Sequence, residues 1–383
     1  MVGYILRRVG IAIVLIWTLS VITFVVYLKV PADPAGFIVD VQHASPAQIA
    51  HAHHILGTDR PAIVQYGKYI ERLLHGDFGL SWPTVTFYGG HLQGAAVGRM
   101  VWKAALVTGS LALGGFVLLL LVAVPLGTFA ATRPRSLFDR LSLGLSVAAI
   151  STHPLVVGLL LQLFVGNKWK LLPASGYCTV SAPSKAELSY WKLFAPGGSP
   201  KPCGGVGEWA WHLLLPWLTF ALFFVALYMR IVRARMLEVL EEPWVRTARA
   251  KGASEFRVIR AHALRNAIAP VVTMSAMDAG MAIGVAMYIE TVFGLPGLGR
   301  TLIRALAGFQ GYDLPVILAV TMVAAAAIIL LNLVADLLLL AIDPTVTRQG
   351  GGGTGSERAG RCHAVRRSFR RRRRTARSGL PRQ

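Results

Sequence analysis

The chain has 383 residues, 54% of them hydrophobic and only 15% charged, with a formal net charge of +21. That balance excludes an ordinary water-soluble globular protein, in which about a quarter of residues are charged. The positive excess invites a nucleic-acid reading, but residues 348–383 hold 12 Arg and one Glu, so +11 of it lies in that terminal stretch.

Crossing a bilayer's hydrocarbon core takes about 20 apolar helical residues, and six stretches meet that length: 9–30, 104–132, 141–166, 211–229, 267–289 and 315–342. The first carries only Lys29 and the second no charge at all; neither shows the polar stripe of a soluble helix. A cleaved leader is a poor reading of residues 1–30, because the apolar run is too long and Lys29-Val30-Pro31 lacks small cleavage-site residues. Residues 31–98 form a sizeable polar segment. In it Ser45-Pro46-Ala47-Gln48 opens a helix expected to end at Gly57, and a second runs from Pro61 to Leu74 and ends at Gly76. The third stretch contains Pro154, tolerated in membranes where neighbours satisfy the freed carbonyl. Residues 167–210 read as an irregular loop; Trp169, Trp209, Trp211 and Trp217 suit an interfacial aromatic belt. Cys178 and Cys203 share this loop and are candidates for a disulfide, while Cys362 stands alone. Beyond Asp343-Pro344 the Gly- and Arg-rich tail, 347–383, has too few apolar residues to fold and is expected to be disordered. Its Arg run would attract anionic lipid or bind phosphates without specificity; nucleic acid is not an expected partner.

Orientation follows from the Lys/Arg bias of the connecting segments. Segments 1–8, 132–140 and 230–266 hold 14 Lys/Arg in about 54 residues, against 10 in about 137 for 31–98, 167–210 and 290–314. Both termini are therefore expected in the cytoplasm, with 31–98 outside.

Catalytic motifs are missing. There is no phosphate loop of the G-x-x-x-x-G-K-[ST] type, no H-E-x-x-H and no G-x-S-x-G, so no enzymatic activity is expected and no cofactor of the chain's own. Between the fourth and fifth stretches lies a basic segment, Arg246-Thr247-Ala248-Arg249-Ala250-Lys251-Gly252-Ala253-Ser254, continuing through Phe256 to His262, Arg265, Asn266 and Pro270. Val245, Ala248, Phe256, Ile259 and Leu264 are spaced to give short helices an apolar side, and Gly252 offers a turn. Such a segment either docks on a cytoplasmic partner and transmits its motion, or lies on anionic lipid; the residues alone leave both open.

The segment resembles the cytoplasmic coupling loop of importer-type ABC transporter permeases, in the form R-T-A-R-A-K-G followed by H-A-L-R-N-A seen in the dipeptide/oligopeptide/nickel branch. The departures from the broader pattern E-A-A-x3-G-x9-I-x-L-P are Arg246-Thr247-Ala248 in the first place and Pro270 lying 18 residues after Gly252. Tyr4-Ile5-Leu6-Arg7-Arg8, Leu56-Gly57-Thr58-Asp59-Arg60-Pro61, Gly76-Asp77-Phe78-Gly79-Leu80-Ser81, Glu290-Thr291-Val292-Phe293, Pro296-Gly297-Leu298-Gly299 and Asn332-Leu333-Val334-Ala335-Asp336 are similar to the same branch in order and spacing, across residues 1–346. More narrowly the chain resembles the first of two permease subunits.

The resemblance implies an all-α integral membrane protein of six transmembrane helices in the type I importer permease fold. Its parts are an N-terminal helix (1–30), an extracytoplasmic segment (31–98), and a five-helix core (99–346) with a coupling loop at 235–266. It also implies partners: a second homologous permease, two cytoplasmic ATPases that bind ATP and Mg, and an extracytoplasmic peptide-binding (lipo)protein, all working in or on a prokaryotic plasma membrane. Short peptides are the implied cargo, with nickel or another small solute as the alternative.

Three further features come from the residues themselves. Asp278, with Met274 and Met281 on the same helix, is a membrane-buried acid and so a candidate to line a pathway, or to serve a self-contained carrier driven by an ion gradient. Asn332 and Asp336 are expected to cap or bond between helices. His51, His53 and His54 read as a helix face, since adjacent histidines diverge around a helix and no ligand set is formed.

Overall fold

In the computed structural model the described residues are 2–29, 45–88, 91–141, 144, 152–179, 201–307 and 312–342. The chain is built from long apolar helices, as it must be where no water satisfies the backbone. Helix α1 spans Val2–Lys29. Ser45 then caps α2 (Pro46–Leu56): its hydroxyl accepts from Gln48 N while the Gln48 side chain accepts from Ser45 N, and the helix ends on Gly57. Helix α3 runs over Ala62–Leu74. Both agree closely with the sequence reading.

Two tyrosines fasten α3 to the bundle. Tyr66 and Tyr69 hydroxyls bond Ser20 and Thr23 of α1 at 3.0 and 3.1 Å. The Phe24 ring lies 5.2 and 5.7 Å from theirs. A following loop is held by Asp313, whose carboxylate accepts from Ser81 Oγ (2.5 Å) and Trp82 N (3.2 Å). A short hairpin, β1 (Thr86–Tyr88) with β2 (His91–Gln93), leads into α4, Val97–Thr132.

The third stretch lies partly outside the described residues. Its longest described part is α5 (Pro154–Leu161), continuing with π geometry over Gln162–Lys168. Pro154 therefore opens a helix, where its missing N–H is not needed, and the adjacent His153 ring accepts from Leu155 N. This differs from the expected mid-helix proline. Strands β3 (Cys178–Thr179) and β4 (Lys201–Pro202) pair in parallel, and Cys178 and Cys203 are joined by a disulfide with Cα atoms 5.3 Å apart.

Helix α6 (Val206–Leu240) packs along α4. Their seam holds Leu111, Leu119, Leu213, Leu215, Phe220 and Tyr228 with essentially no exposure. After α6 come α7 (Pro243–Ala250) and a composite of short helical pieces over 255–267, here α8. Helix α9 (Ala269–Phe293) follows, then α10 (Leu298–Leu306) and α11 (Leu314–Ile342). A second core joins the first turns of α4 to α10 and α11 through Val97, Val101, Leu298, Val316 and Val320. At the other end of the bundle Arg8 pairs with Asp336 at 2.7 Å, so Asp336 does bond between helices; Asn332 is exposed.

Among the described residues four helices, α1, α4, α6 and α11, are long and apolar enough to cross a membrane. A fifth span arises if α9 and α10, bent by 72° at Gly294–Gly297, count together.

Candidate functional site

The connection from α6 to α9 is anchored by buried apolar side chains and presents a polar surface. Val245 is fully buried under α7, and Val258 and Ala263 under α8. Ile259 and Leu264 pack on the same core, beside Leu237 and Leu240 of α6. Between α7 and α8 the chain reverses at Gly252, whose φ is +80°. There Gly252 N donates to Arg249 O (2.9 Å) and Ala253 N to Ala248 O (3.2 Å). No atom lies within 4 Å of the place a Cβ would take, so glycine is favoured there by the dihedral alone.

Across the turn the Arg249 guanidinium forks onto Glu255, Nη2 to Oε1 at 2.7 Å and Nε to Oε2 at 3.1 Å. Those bonds hold the Glu255 carboxyl below its ordinary pKa and raise that of Arg249. Both charges persist at neutral pH, and the fork ties α7 to α8.

Around this turn Arg246, Thr247, Arg249, Ala250, Lys251, Gly252 and Ser254 are exposed, with Ala248 and Ala253 half-buried. Phe256 is 70% exposed, which corrects its expected place on the inward apolar side. Val258, two residues on and hence on the opposite side of a helical turn, takes the inward position. With Trp244 also 40% exposed, the segment shows two aromatic rings on a basic surface. Behind it His262, Arg265 and Asn266 are exposed, Asn266 Nδ2 donates to His262 O at 3.2 Å, and Pro270 lies in the first turn of α9.

A brace near this end of the bundle was not legible in the sequence. Arg233 of α6 forks onto Asp139, which follows α4, through Nε to Oδ1 and through Nη2 to Oδ2 at 2.8 Å. Asp139 also accepts from Arg135 N at 3.0 Å. The Arg233 hydrogen bonds hold the Asp139 carboxyl below the usual carboxylate range.

Within the spans, Tyr228 OH of α6 donates to Asp278 Oδ2 of α9 at 2.8 Å. Asp278 and Met274 are half-buried, and Met281 is 58% exposed; their spacing places all three on one side of α9. Glu290, near the end of α9, was also missed. It is fully buried and accepts from Thr108 Oγ1 (2.5 Å), Gly299 N (2.8 Å) and Arg300 N (3.3 Å), while Thr108 Oγ1 itself accepts from Leu298 N (2.8 Å). The carboxylate thus caps α10 and ties it to α4 and α9. The sequence flagged Glu290-Thr291-Val292-Phe293 and Pro296-Gly297-Leu298-Gly299 through the family resemblance, but not the contact between them.

His53 Nδ1 bonds Thr58 Oγ1 at 2.8 Å. Among the described residues no group of three His, Cys, Asp or Glu is placed to hold a metal.

Among the described residues, long apolar helices and one bent pair define a multi-pass membrane protein. The chain belongs to the family of binding-protein-dependent transport system inner membrane components, whose model matches residues 123–348. The N-terminal model of the same kind of membrane component matches residues 1–83. Among curated relatives, the chain is 33% identical over 355 residues to the dipeptide transport system permease protein of Escherichia coli K12, covering 90% of this chain and 99% of that one. It is 31% identical over 348 residues to the dipeptide transport system permease protein of Alkalihalophilus pseudofirmus, at 90% and 99% coverage. It is also 31% identical over 343 residues to a probable peptide ABC transporter permease of Sinorhizobium fredii, at 90% and 98%.

Proposed function

We propose that the chain is a permease subunit of an ATP-driven, binding-protein-dependent importer, and that with a second, related permease it forms the pathway for di- and oligopeptides. The names of the relatives support the cargo class. The Lys/Arg bias supports both termini, and the α7–α8 connection, on the cytoplasmic side of a prokaryotic plasma membrane. Residues 246–256 are then the surface that meets the ATPase subunits, which carry ATP and Mg; an extracytoplasmic binding (lipo)protein delivers the peptide.

The observation that carries this reading is the build of the α7–α8 connection. Its underside is clamped by Val245, Val258 and Ala263, and its upper side is basic and aromatic. A rigid element with an open surface passes a partner's motion to the helices it joins, provided the partner distinguishes two states of the chain. The experiment is peptide uptake into vesicles by the assembled complex, with and without a substitution in the ATPase phosphate loops. Uptake should stop with the substitution, and the chain alone should not concentrate peptide. Uphill uptake by the chain alone would overturn the reading.

Asp278, with Met274 and Met281, lies along the pathway in this reading. Tyr228 holds one carboxylate oxygen and the other is the one offered to a peptide's ammonium group. Asp278→Asn should then raise the KM for peptide uptake several-fold with little change in the ATPase rate of the complex. An unchanged KM would assign Asp278 to helix packing alone.

A further inference from the structure

A cavity of about 800 Å³ opens at the end of the bundle that carries α2 and α3. Its floor is apolar and comes from the spans: Phe24 and Tyr27 of α1, Leu318 and Ala319 of α11. Its rim comes from the polar segment and includes the cations Arg60, Lys68 and Arg72. Among the described residues none of these three makes an ion pair, and Arg72 Nε reaches only Lys68 O, at 3.4 Å. Two acids share the rim, Glu71 and Asp77; Asp77 Oδ1 accepts from Gly79 N at 2.9 Å. Among the described residues the rim thus carries three cations against two acids, a net positive charge over an apolar floor.

What medium meets this cavity is told by α3. Ile63 is 76% and Leu74 81% exposed, and their spacing of eleven residues puts them on one side of the helix. Lys68 and Arg72 lie on another side, and Tyr66 and Tyr69 bind the helix to α1. A helix with uncovered apolar side chains beside Lys and Arg sits in the interface between headgroups and acyl chains. The cavity under it is thus at headgroup depth, with the ends of α1 and α11 as its lower wall.

We propose that this cavity seats an anionic phospholipid, with its phosphate among Arg60, Lys68 and Arg72 and its first acyl segments against Phe24, Tyr27 and Leu318. The volume falls in the range of small-molecule sites, about 300–1,000 Å³. A zwitterionic lipid carries the same phosphate but adds a cation to a rim already in positive excess, so a net negative headgroup is favoured. The site does not depend on which solute the chain carries.

The test uses the full chain purified from bilayers of phosphatidylcholine with phosphatidylglycerol, with native mass spectrometry reading the lipid retained. One phosphatidylglycerol should stay bound in preference to phosphatidylcholine. The triple variant Arg60→Gln, Lys68→Gln, Arg72→Gln should lower its retention about tenfold, the equivalent of about 1.4 kcal/mol, without changing the melting temperature, since all three side chains are exposed. Leu318→Trp, which fills the floor and leaves the cations in place, should lower retention as well. Equal retention of the two lipids, or unchanged retention in both variants, overturns the proposal. Inorganic phosphate raising the melting temperature as much as phosphatidylglycerol would make it a free-anion site instead. Displacement of the lipid by a short peptide would make it a substrate site, and either result ends the lipid assignment.

Discussion

At Gly252 the backbone takes φ +80° with open space around it, so a side chain there meets no clash and pays only in dihedral strain, about 1–2 kcal/mol for most residues. Asn tolerates that region, so Gly252→Asn should keep peptide-driven ATP hydrolysis and uptake near those of the parent. Gly252→Trp adds bulk on the exposed surface proposed to meet the ATPases. It should leave the spans folded while uptake falls well below ATP hydrolysis, and normal coupled uptake by this variant would count heavily against the proposed contact. Glu290 poses the opposite case, a carboxyl group sealed among three donors. Glu290→Ala leaves those donors unpaired, at about 1–3 kcal/mol for each buried group, and should lower the melting temperature in detergent by several degrees. Glu290→Gln, which keeps one acceptor oxygen, should fall between. If the Ala variant melts like the parent, the cap on α10 is not a source of stability. The approach of the α9–α10 turn is so close that a Cβ on Gly297 would stand 2.1 Å from Glu290 Oε1, which is why glycine occupies that place.

Among the elements, α4 and α6 carry the largest shared core, and the Arg233–Asp139 fork locks them near the α7–α8 connection. The Asp139 carboxyl is held below its ordinary value by Arg233. A depressed acid adds stability that is present above its unfolded pKa, about 3.9, and is lost as pH falls through the folded value. Asp139→Asn should therefore be less stable than the parent by about 1.5–3 kcal/mol near neutral pH, the usual range for hydrogen bonds to a charged group. That gap should close as pH falls below about 4. Thermal unfolding of both proteins across that range measures it, and a gap that does not vary with pH would remove the fork as the cause. The connection itself is legible by pattern: Val245, Ile259 and Leu264 follow helical spacing and all turn inward. Phe256 shares the spacing but not the outcome, because Val258 fills the inward place and the fork to Glu255 sets the start of α8.

For the molecule as a whole, the stretches of uninterrupted apolar residues were enough to establish membrane helices, since a segment of that length can satisfy its backbone in lipid only as a helix. Ser45 with Gln48, and Gly57, marked α2 for an equally local reason: a cap is made by residues a few positions apart. The α7–α8 connection was readable too, as a basic run broken by one glycine. What no local pattern contained were contacts between residues far apart in the chain: Thr108 with Glu290, Asp139 with Arg233, Ser81 with Asp313, Tyr228 with Asp278. Each joins polar groups that appear isolated in their own stretches and find partners only when the helices pack. The bend that turns α9 into α10 falls at Gly294-Leu295-Pro296-Gly297, with Gly294 in the left-handed region, and Glu290 then fastens its far side. Composition and spacing thus determined that long apolar helices build this chain, while tertiary packing decided which polar side chains hold them together, since burying such a group is tolerable only beside a partner supplied from elsewhere.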